Sequence, residues 1–392
     1  MTHTVQPTHH DDTGPSSSPR IAIFAAFSGH GGVERMLANL AAGLLVAGYR
    51  VDMVLAKQRG EHLAAIPAAV RQIPLGSRHT ATSLPALIGY LRRERPAALL
   101  AAKDRAIRTA VMARALSGVT LPLVGRLGTT VSAALSGKGW LRRTIWYSNM
   151  RLFYRRVDTL IAVSEGVRQD ILQITNLAPS QVRVVRNPVI TPQLSEQAAL
   201  PCDHPWLTSI RDTPVIVAAG RLTHQKDFPT LLRAFARLRT ERCCRLLILG
   251  EGGDRGTLLT LAEQLGIRHD VDLPGFRANP YPYLAAANLF VLSSRWEGSP
   301  NVLTEALALG TPVVATDCPS GPRELLAGGR YGALVTPGDV SALASAMGAT
   351  LDQPLPAATL RQAVADYTID QAAAGYLQAL TLPPSANSAV PS

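Results

Sequence analysis

Of 392 residues only four are cysteine: Cys202, Cys243, Cys244 and Cys318. They show no Cys-x-x-Cys spacing and two are adjacent, so neither a disulfide framework nor a zinc site is implied, and the usage fits a reducing cytoplasm. No run approaches the roughly 18 apolar residues that a membrane-spanning helix needs. The first nineteen residues, MTHTVQPTHHDDTGPSSSP, hold no apolar stretch. They read as a solvated tail rather than a signal peptide, and His9-His10-Asp11-Asp12 reads as part of that tail rather than as a metal site. No G-x-G-x-x-G with a downstream acid follows the first predicted strand, which argues against a dinucleotide oxidoreductase. Helix-turn-helix, finger and RNA-binding signatures are absent, which argues against a nucleic-acid partner.

What is present is a globular composition, 47% hydrophobic and 17% charged, in a chain long enough for two domains. The net charge of +11 is unevenly spread. Through residue 190 there are 24 Lys and Arg against 10 Asp and Glu, and beyond it 15 against 18. The first half therefore suits an anionic partner and the second does not.

Apolar runs alternate with helical patterns in two series. IAIFAAF (21–27) predicts a buried strand leading into Gly29-His30-Gly31-Gly32 and then an amphipathic helix ending near Gly48. Further strands are expected at 50–56, 97–102, 121–126 and 159–163. After VRVVRNPV (182–189) a polar, Pro-containing stretch reads as a linker over 191–211. The alternation restarts with strands at 214–220, 245–250, 270–275, 288–294, 311–316 and 332–337. The pattern predicts two doubly wound α/β domains, 20–190 and 212–356, facing a cleft at the strand carboxyl ends. The tails are 1–19 and 382–392, and a helical segment at 357–381 is placed to pack back on the first domain.

The second series carries the chemistry. Trp296-Glu297-Gly298-Ser299-Pro300 precedes a predicted helix capped by Ser299, with Pro300 at its first position and Gly310 beyond its end. Such an open helix N-terminus suits an anion. Glu297 lies in the loop before it and Glu305 over a turn inside. Alone, the two would read as a terminal charge and a solvated helix residue. Arg221 and Lys226, in GRLTHQK at the end of the strand 214–220, add a planar fork and a point charge fitted to a diphosphate. Asp270-Val271-Asp272 has the Asp-x-Asp form of a cation site, but the pattern supplies no further ligands there, so no metal is expected.

Taken in order, several segments resemble one family. They are Gly31-Gly32-Val33-Glu34-Arg35, Val163-Ser164-Glu165-Gly166-Val167, Arg186-Asn187-Pro188-Val189, GRLTHQKD, Leu249-Gly250-Glu251-Gly252, Leu273-Pro274-Gly275-Phe276, and SSRWEGSPNVLTEALALGTPVVATDCPSGPRELL. This resembles the retaining family-four glycosyltransferases of the two-Rossmann-domain GT-B fold. The likeness covers about 20–380, densely from 214 to 340. It implies transfer of a sugar from a nucleotide diphosphate without a resident metal or other cofactor. It also implies roles: Arg221 and Lys226 on the diphosphate, Glu297 on the donor sugar and Glu305 on the ribose. The amides around Ser299, Asn301, Val302 and Leu303 and the Gly31-Gly32 loop would complete the cradle, with the Arg277 segment at the base.

The family's first-domain histidine is not found in Ala101–Arg105 or Val124–Thr130. Lys103, Asp104 and Arg126 stand there as candidates for contact with the sugar or acceptor. The CPSGPREL and Asn279–Tyr283 patterns resemble members that build bacterial surface polysaccharides, which favours a UDP-hexose or UDP-N-acetylhexosamine donor and a lipid-linked or glycan acceptor. The segment 140–156, rich in Arg, Trp and Tyr, reads either as a face for an anionic membrane on the cytoplasmic side or as a helix that packs Ile145, Met150 and Leu152 on the sheet. A nucleotide-sugar-binding protein, hydrolase or phosphorylase of the same fold is the competing reading.

Overall fold

The computed structural model describes residues 18–28, 32–59, 63–77, 79–208 and 213–383. Most of both predicted tails and Gly31 lie outside the described residues.

Two parallel sheets form the frame. The first contains β1 (Arg20–Ser28), β2 (Arg50–Arg59), β3 (Arg71–Pro74), β4 (Ala98–Ala102), β5 (Leu123–Leu127), β6 (Thr159–Ala162) and β7 (Val182–Val184). Their order is β3-β2-β1-β4-β5-β6-β7. The second contains β8 (Val215–Ala219), β9 (Arg245–Leu249), β10 (Val271–Gly275), β11 (Leu289–Leu292), β12 (Val313–Thr316) and β13 (Ala333–Val335), in the order β10-β9-β8-β11-β12-β13. All ladders are parallel, so helices cover both faces and the central strands are apolar on both. β1 shows the rule: Ala22 and Phe24 enter one core while Ile21, Ile23, Ala25 and Phe27 enter the other. In each sheet the order reverses at the first strand, which opens a crevice beyond the carboxyl ends of β1 and β4 and of β8 and β11.

The stretch 191–211 is more than a tether. It holds two short helices, Leu194–Ala198 and Pro205–Thr208, and Leu194 and Leu207 are buried in a core of the second sheet. The segment beyond residue 356 breaks into two helices. Ala357–Gln362 lies against the helix Asn301–Leu309, while Ile369–Ala379 crosses to the helix Gly32–Val46 and buries Tyr376 and Leu377 in the first sheet's core. The chain thus returns to its first half, fixing one half against the other.

Candidate active site

Two loops at the mouth of the second sheet are pinned together. Arg295 N donates to Gln225 O at 2.8 Å, Gln225 Nε2 to Trp296 O at 2.9 Å, and Ser293 Oγ to Lys226 O at 2.8 Å. An Arg295–Asp227 ion pair at 3.0 Å closes the set. The result brings Lys226 Nζ to 2.6 Å from Glu297 Oε1, which also accepts from Ser294 Oγ at 2.7 Å. Glu297 is buried. Arg221 follows β8 in the same loop as Lys226; it is exposed, and its side chain makes no hydrogen bond or ion pair among the described residues. Cys318 lies near Glu297. Burial and that carboxylate push its thiol up to about 12, so it stays protonated at neutral pH and is a poor nucleophile.

The helix N-terminus differs from expectation by one residue. The helix is Asn301–Leu309, Pro300 occupies the cap position, and Ser299 precedes it. Asn301 and Val302 therefore present the first amides, which have no acceptor within the helix. Leu303 does not belong in an open cradle: its amide donates to Pro300 O at 3.0 Å and its side chain is fully buried in the core.

The two halves meet across this terminus. Thr129 and Gly298 form an antiparallel bridge, and Thr130 donates to Glu297 O through its amide at 3.2 Å and its hydroxyl at 2.9 Å. A Cβ at Gly298 would lie 2.3 Å from Gly128 O, so only glycine admits this approach. Deeper in the helix, Glu305 is 1% exposed, and its Oε1 accepts from Arg35 of the helix Gly32–Val46. Arg35 also lies 5.4 Å from the centre of the Tyr281 ring. Burial opposes its charge, but Glu305 and Tyr281 outweigh that and raise its pKa. Glu305 Oε2 has no hydrogen-bond partner among the described residues.

Arg126 is corrected from an open cleft residue to a buried tie. It is 2% exposed, and donates from Nε to Tyr376 Oη at 3.1 Å and from Nη2 to Asn187 Oδ1 at 2.7 Å. Asn187 Nδ2 donates to Asn301 Oδ1 at 2.7 Å, and Asn301 Nδ2 to Gly32 O at 3.2 Å. This relay joins the last helix, β5, the Arg186-Asn187-Pro188 segment and the helix Asn301–Leu309. Asp104 is likewise engaged locally, by Arg108 at 2.8 Å and Tyr154 Oη at 3.0 Å. Lys103, between β4 and the helix Asp104–Ser117, remains exposed in the cleft. Arg277 is turned back onto Tyr283 Oη at 2.6 Å and Pro274 O at 2.8 Å, so its guanidinium is engaged locally.

Asp270 and Asp272 have separate partners, Arg239 at 2.8 Å and His204 at 3.0 Å. No group of three or more His, Cys, Asp or Glu residues fit to hold a metal occurs among the described residues.

Sequence reasoning missed Arg35, Thr130, Asn187 and Glu324 as site-building residues. Glu324 accepts from the amides of Glu165 at 2.9 Å and Gly166 at 2.8 Å and pairs with Arg186 at 2.9 Å, capping a first-half helix from the second half. Apart from Thr130, these residues sat inside the quoted segments, which was the available signal.

Comparison with known proteins agrees with the two-domain fold. Residues 30–192 match the family described as Glycosyltransferase Family 4 and residues 213–353 that described as Glycosyl transferases group 1. One relative is the Campylobacter jejuni N-acetylgalactosamine-N,N'-diacetylbacillosaminyl-diphospho-undecaprenol 4-alpha-N-acetylgalactosaminyltransferase. It is 35% identical over 47% of this chain and 48% of its own length. Another is the lipopolysaccharide core biosynthesis glycosyltransferase LpsE of Rhizobium meliloti, 27% identical over 82% of this chain and 86% of the relative. The chain spans about half the length of the curated relatives that it matches at 34 and 35% identity. Among solved structures, Anabaena HepE in complex with UDP and glucose is 18% identical, with a TM-score of 0.73 over 93% of this chain and 99% of that one. The fold is GT-B.

Proposed function

We infer, because the chain belongs to the glycosyltransferases of the group 1 and family 4 type, that it moves a hexose or N-acetylhexosamine from a UDP-sugar to a lipid-linked or polysaccharide acceptor in bacterial surface-glycan synthesis. The carrying observation is that Arg221 and Lys226 leave β8 in one loop and that Lys226 pairs with Glu297, which lies just before the open amides of Asn301 and Val302.

Negative charge grows on the departing diphosphate as the sugar's anomeric bond breaks. Two fixed cations and a helix N-terminus lower that barrier because they need no reorganisation. They supply the neutralisation that a metal would otherwise bring, so the reaction is metal-independent. Lys226 turns from Glu297 to the diphosphate, and Glu297, freed of it, accepts hydrogen bonds from donor-sugar hydroxyls. The Oε2 atom of Glu305 accepts from the ribose. Attack comes from the face the leaving group vacates, with that phosphate taking the acceptor proton, and the anomeric configuration is retained.

Names among the relatives support the acceptor class: one acts on a diphospho-undecaprenol-linked sugar and another in lipopolysaccharide core synthesis. The helix Trp140–Tyr154 supports work at a membrane surface on the cytoplasmic side. Met150 and Tyr154 are its buried residues, whereas Trp140, Leu141, Ile145 and Leu152 are 76, 57, 54 and 53% exposed beside Arg142 and Arg143. Ile145 and Leu152 thus do not pack on the sheet. No helix among the described residues is long and apolar enough to cross a membrane.

Incubation with UDP-sugars and acceptor in EDTA, with the product's anomeric proton read by NMR, tests the reaction. A product that retains the donor's configuration is expected. An inverted product, or activity abolished by EDTA and restored by a divalent ion, contradicts it.

A further inference from the structure

Lys103 is held in a conformation that lysine rarely adopts. Its φ and ψ are 77° and 152°, a region populated almost only by glycine. Both of its backbone groups are committed: its amide donates to Arg126 O at 3.0 Å, and its carbonyl accepts from Ile107 N at 3.0 Å. The strained residue is the joint between β4 and the helix Asp104–Ser117, at the carboxyl edge of the first sheet. Its exposed side chain carries a charge that feels Glu34 and Arg126 of its own half and Arg221 of the other.

Lys103 and Arg221 are thus like charges at the carboxyl edges of the two sheets, each within range of the other's field. Each repels the other until an anion lies between them, and Glu34 and Arg126 are both buried within the first half. Loss of hydration in the cleft, with Arg126 and Arg221 adding to it against Glu34, draws the ammonium pKa below the usual lysine value. An anion shared by the two walls reverses that cost.

We propose that Lys103 is a side-chain ligand from the first half for the donor diphosphate, sharing it with Arg221 and so coupling donor binding to the approach of the two halves. The proposal rests on Arg221 holding that diphosphate. Arg221 stands at the mouth of β8 in the same loop as Lys226, whose partner Glu297 precedes the helix N-terminus, so the anion that reaches both walls is the donor's rather than one on the acceptor. Strain at position 103 persists because it aims the ammonium; glycine there would relax the backbone and lose the charge.

Calorimetric titration with UDP and with uridine, together with ligand-free thermal unfolding, tests this on wild type, Lys103→Gly, Lys103→Met and Arg221→Ala. Lys103→Gly is expected to melt higher than wild type yet bind UDP about ten- to a hundredfold more weakly, the range for a lost bond to a charged group. Uridine affinity should not change. Lys103→Met should lose the same UDP affinity without the gain in melting temperature. UDP affinity within twofold of wild type in both Lys103 variants, with Arg221→Ala impaired, overturns the role of Lys103 and leaves the donor site standing. Unimpaired UDP binding by Arg221→Ala overturns the donor reading itself. Equal losses for uridine and UDP in the Lys103 variants mean a scaffold role and also overturn the proposal.

Discussion

Lys226 and Glu297 neutralise each other in the ligand-free site, while the Arg221 side chain has no hydrogen-bond or ion-pair partner among the described residues. This difference separates stability from activity. Arg221→Ala should leave the melting temperature within error of wild type, as expected of an exposed side chain, yet lower turnover by a hundredfold or more, about 3 kcal/mol of lost leaving-group stabilisation. Lys226→Ala should lower turnover as far and also cost stability, because it leaves the buried Glu297 with Ser294 alone. Steady-state kinetics beside thermal unfolding checks both. Arg35→Ala strands the carboxylate of Glu305 at 1% exposure and should cost on the order of 3 kcal/mol in chemical denaturation. At this scale the sequence singled out two short segments, GRLTHQK and WEGSPNVLTE, and the structure joins them through Lys226 and Glu297. Arg35 escaped because its partner is 270 positions away, and no local pattern encodes that pairing. Arg126 misled because a basic residue at a strand's carboxyl end looks the same whether it faces the cleft or a buried Tyr376.

Among the elements, the strands of both sheets were readable because burial on both faces writes itself as an uninterrupted apolar run. β3 and β7, the two edge strands of the first sheet, were not read. RQIP is an edge strand that owes its place to ion pairs of Arg71 with Asp52 at 2.6 Å and with Glu94. Burial alone would raise the Glu94 pKa, but hydrogen bonds from Arg71 and Arg93 and the charges of Arg71 and Arg20 outweigh it, and the net shift is downward. A carboxylate with a lowered folded-state pKa stabilises above its unfolded value and loses that contribution as pH falls through the folded one. The melting-temperature difference between wild type and Glu94→Gln should therefore be largest at neutral pH and vanish below the lowered glutamate value. The return of the chain to its first half rests on close helix packing. A Cβ at Gly43 would lie 2.5 Å from Ile369 Cγ2 and 3.1 Å from Ala373 Cβ. Gly43→Val should cost roughly 1–3 kcal/mol by overpacking, read by denaturant unfolding.

Across the whole molecule, the charge imbalance between the halves and the exposed face of the helix Trp140–Tyr154 belong together. An excess of bases carries the first half to an anionic surface, each contributing about 1 kcal/mol near it, and the apolar side chains enter the interface. Replacing Trp140, Leu141 and Ile145 with serine should reduce co-sedimentation with anionic vesicles while transfer to a soluble acceptor analogue persists. Wild type that fails to sediment at low salt contradicts this. How the halves close on each other could not be read from sequence, since Ser164–Ser320 at 2.6 Å, Glu324 on the Glu165 and Gly166 amides and Thr129–Gly298 are pairings of distant segments. They place the cations of the second sheet opposite the first. The most direct measurement of what they hold is a crystal structure with UDP bound. The diphosphate should lie within hydrogen-bonding distance of Arg221, Lys226 and the amides of Asn301 and Val302, with Lys226 turned away from Glu297. A nucleotide bound elsewhere, or a diphosphate touching neither cation, would contradict the account.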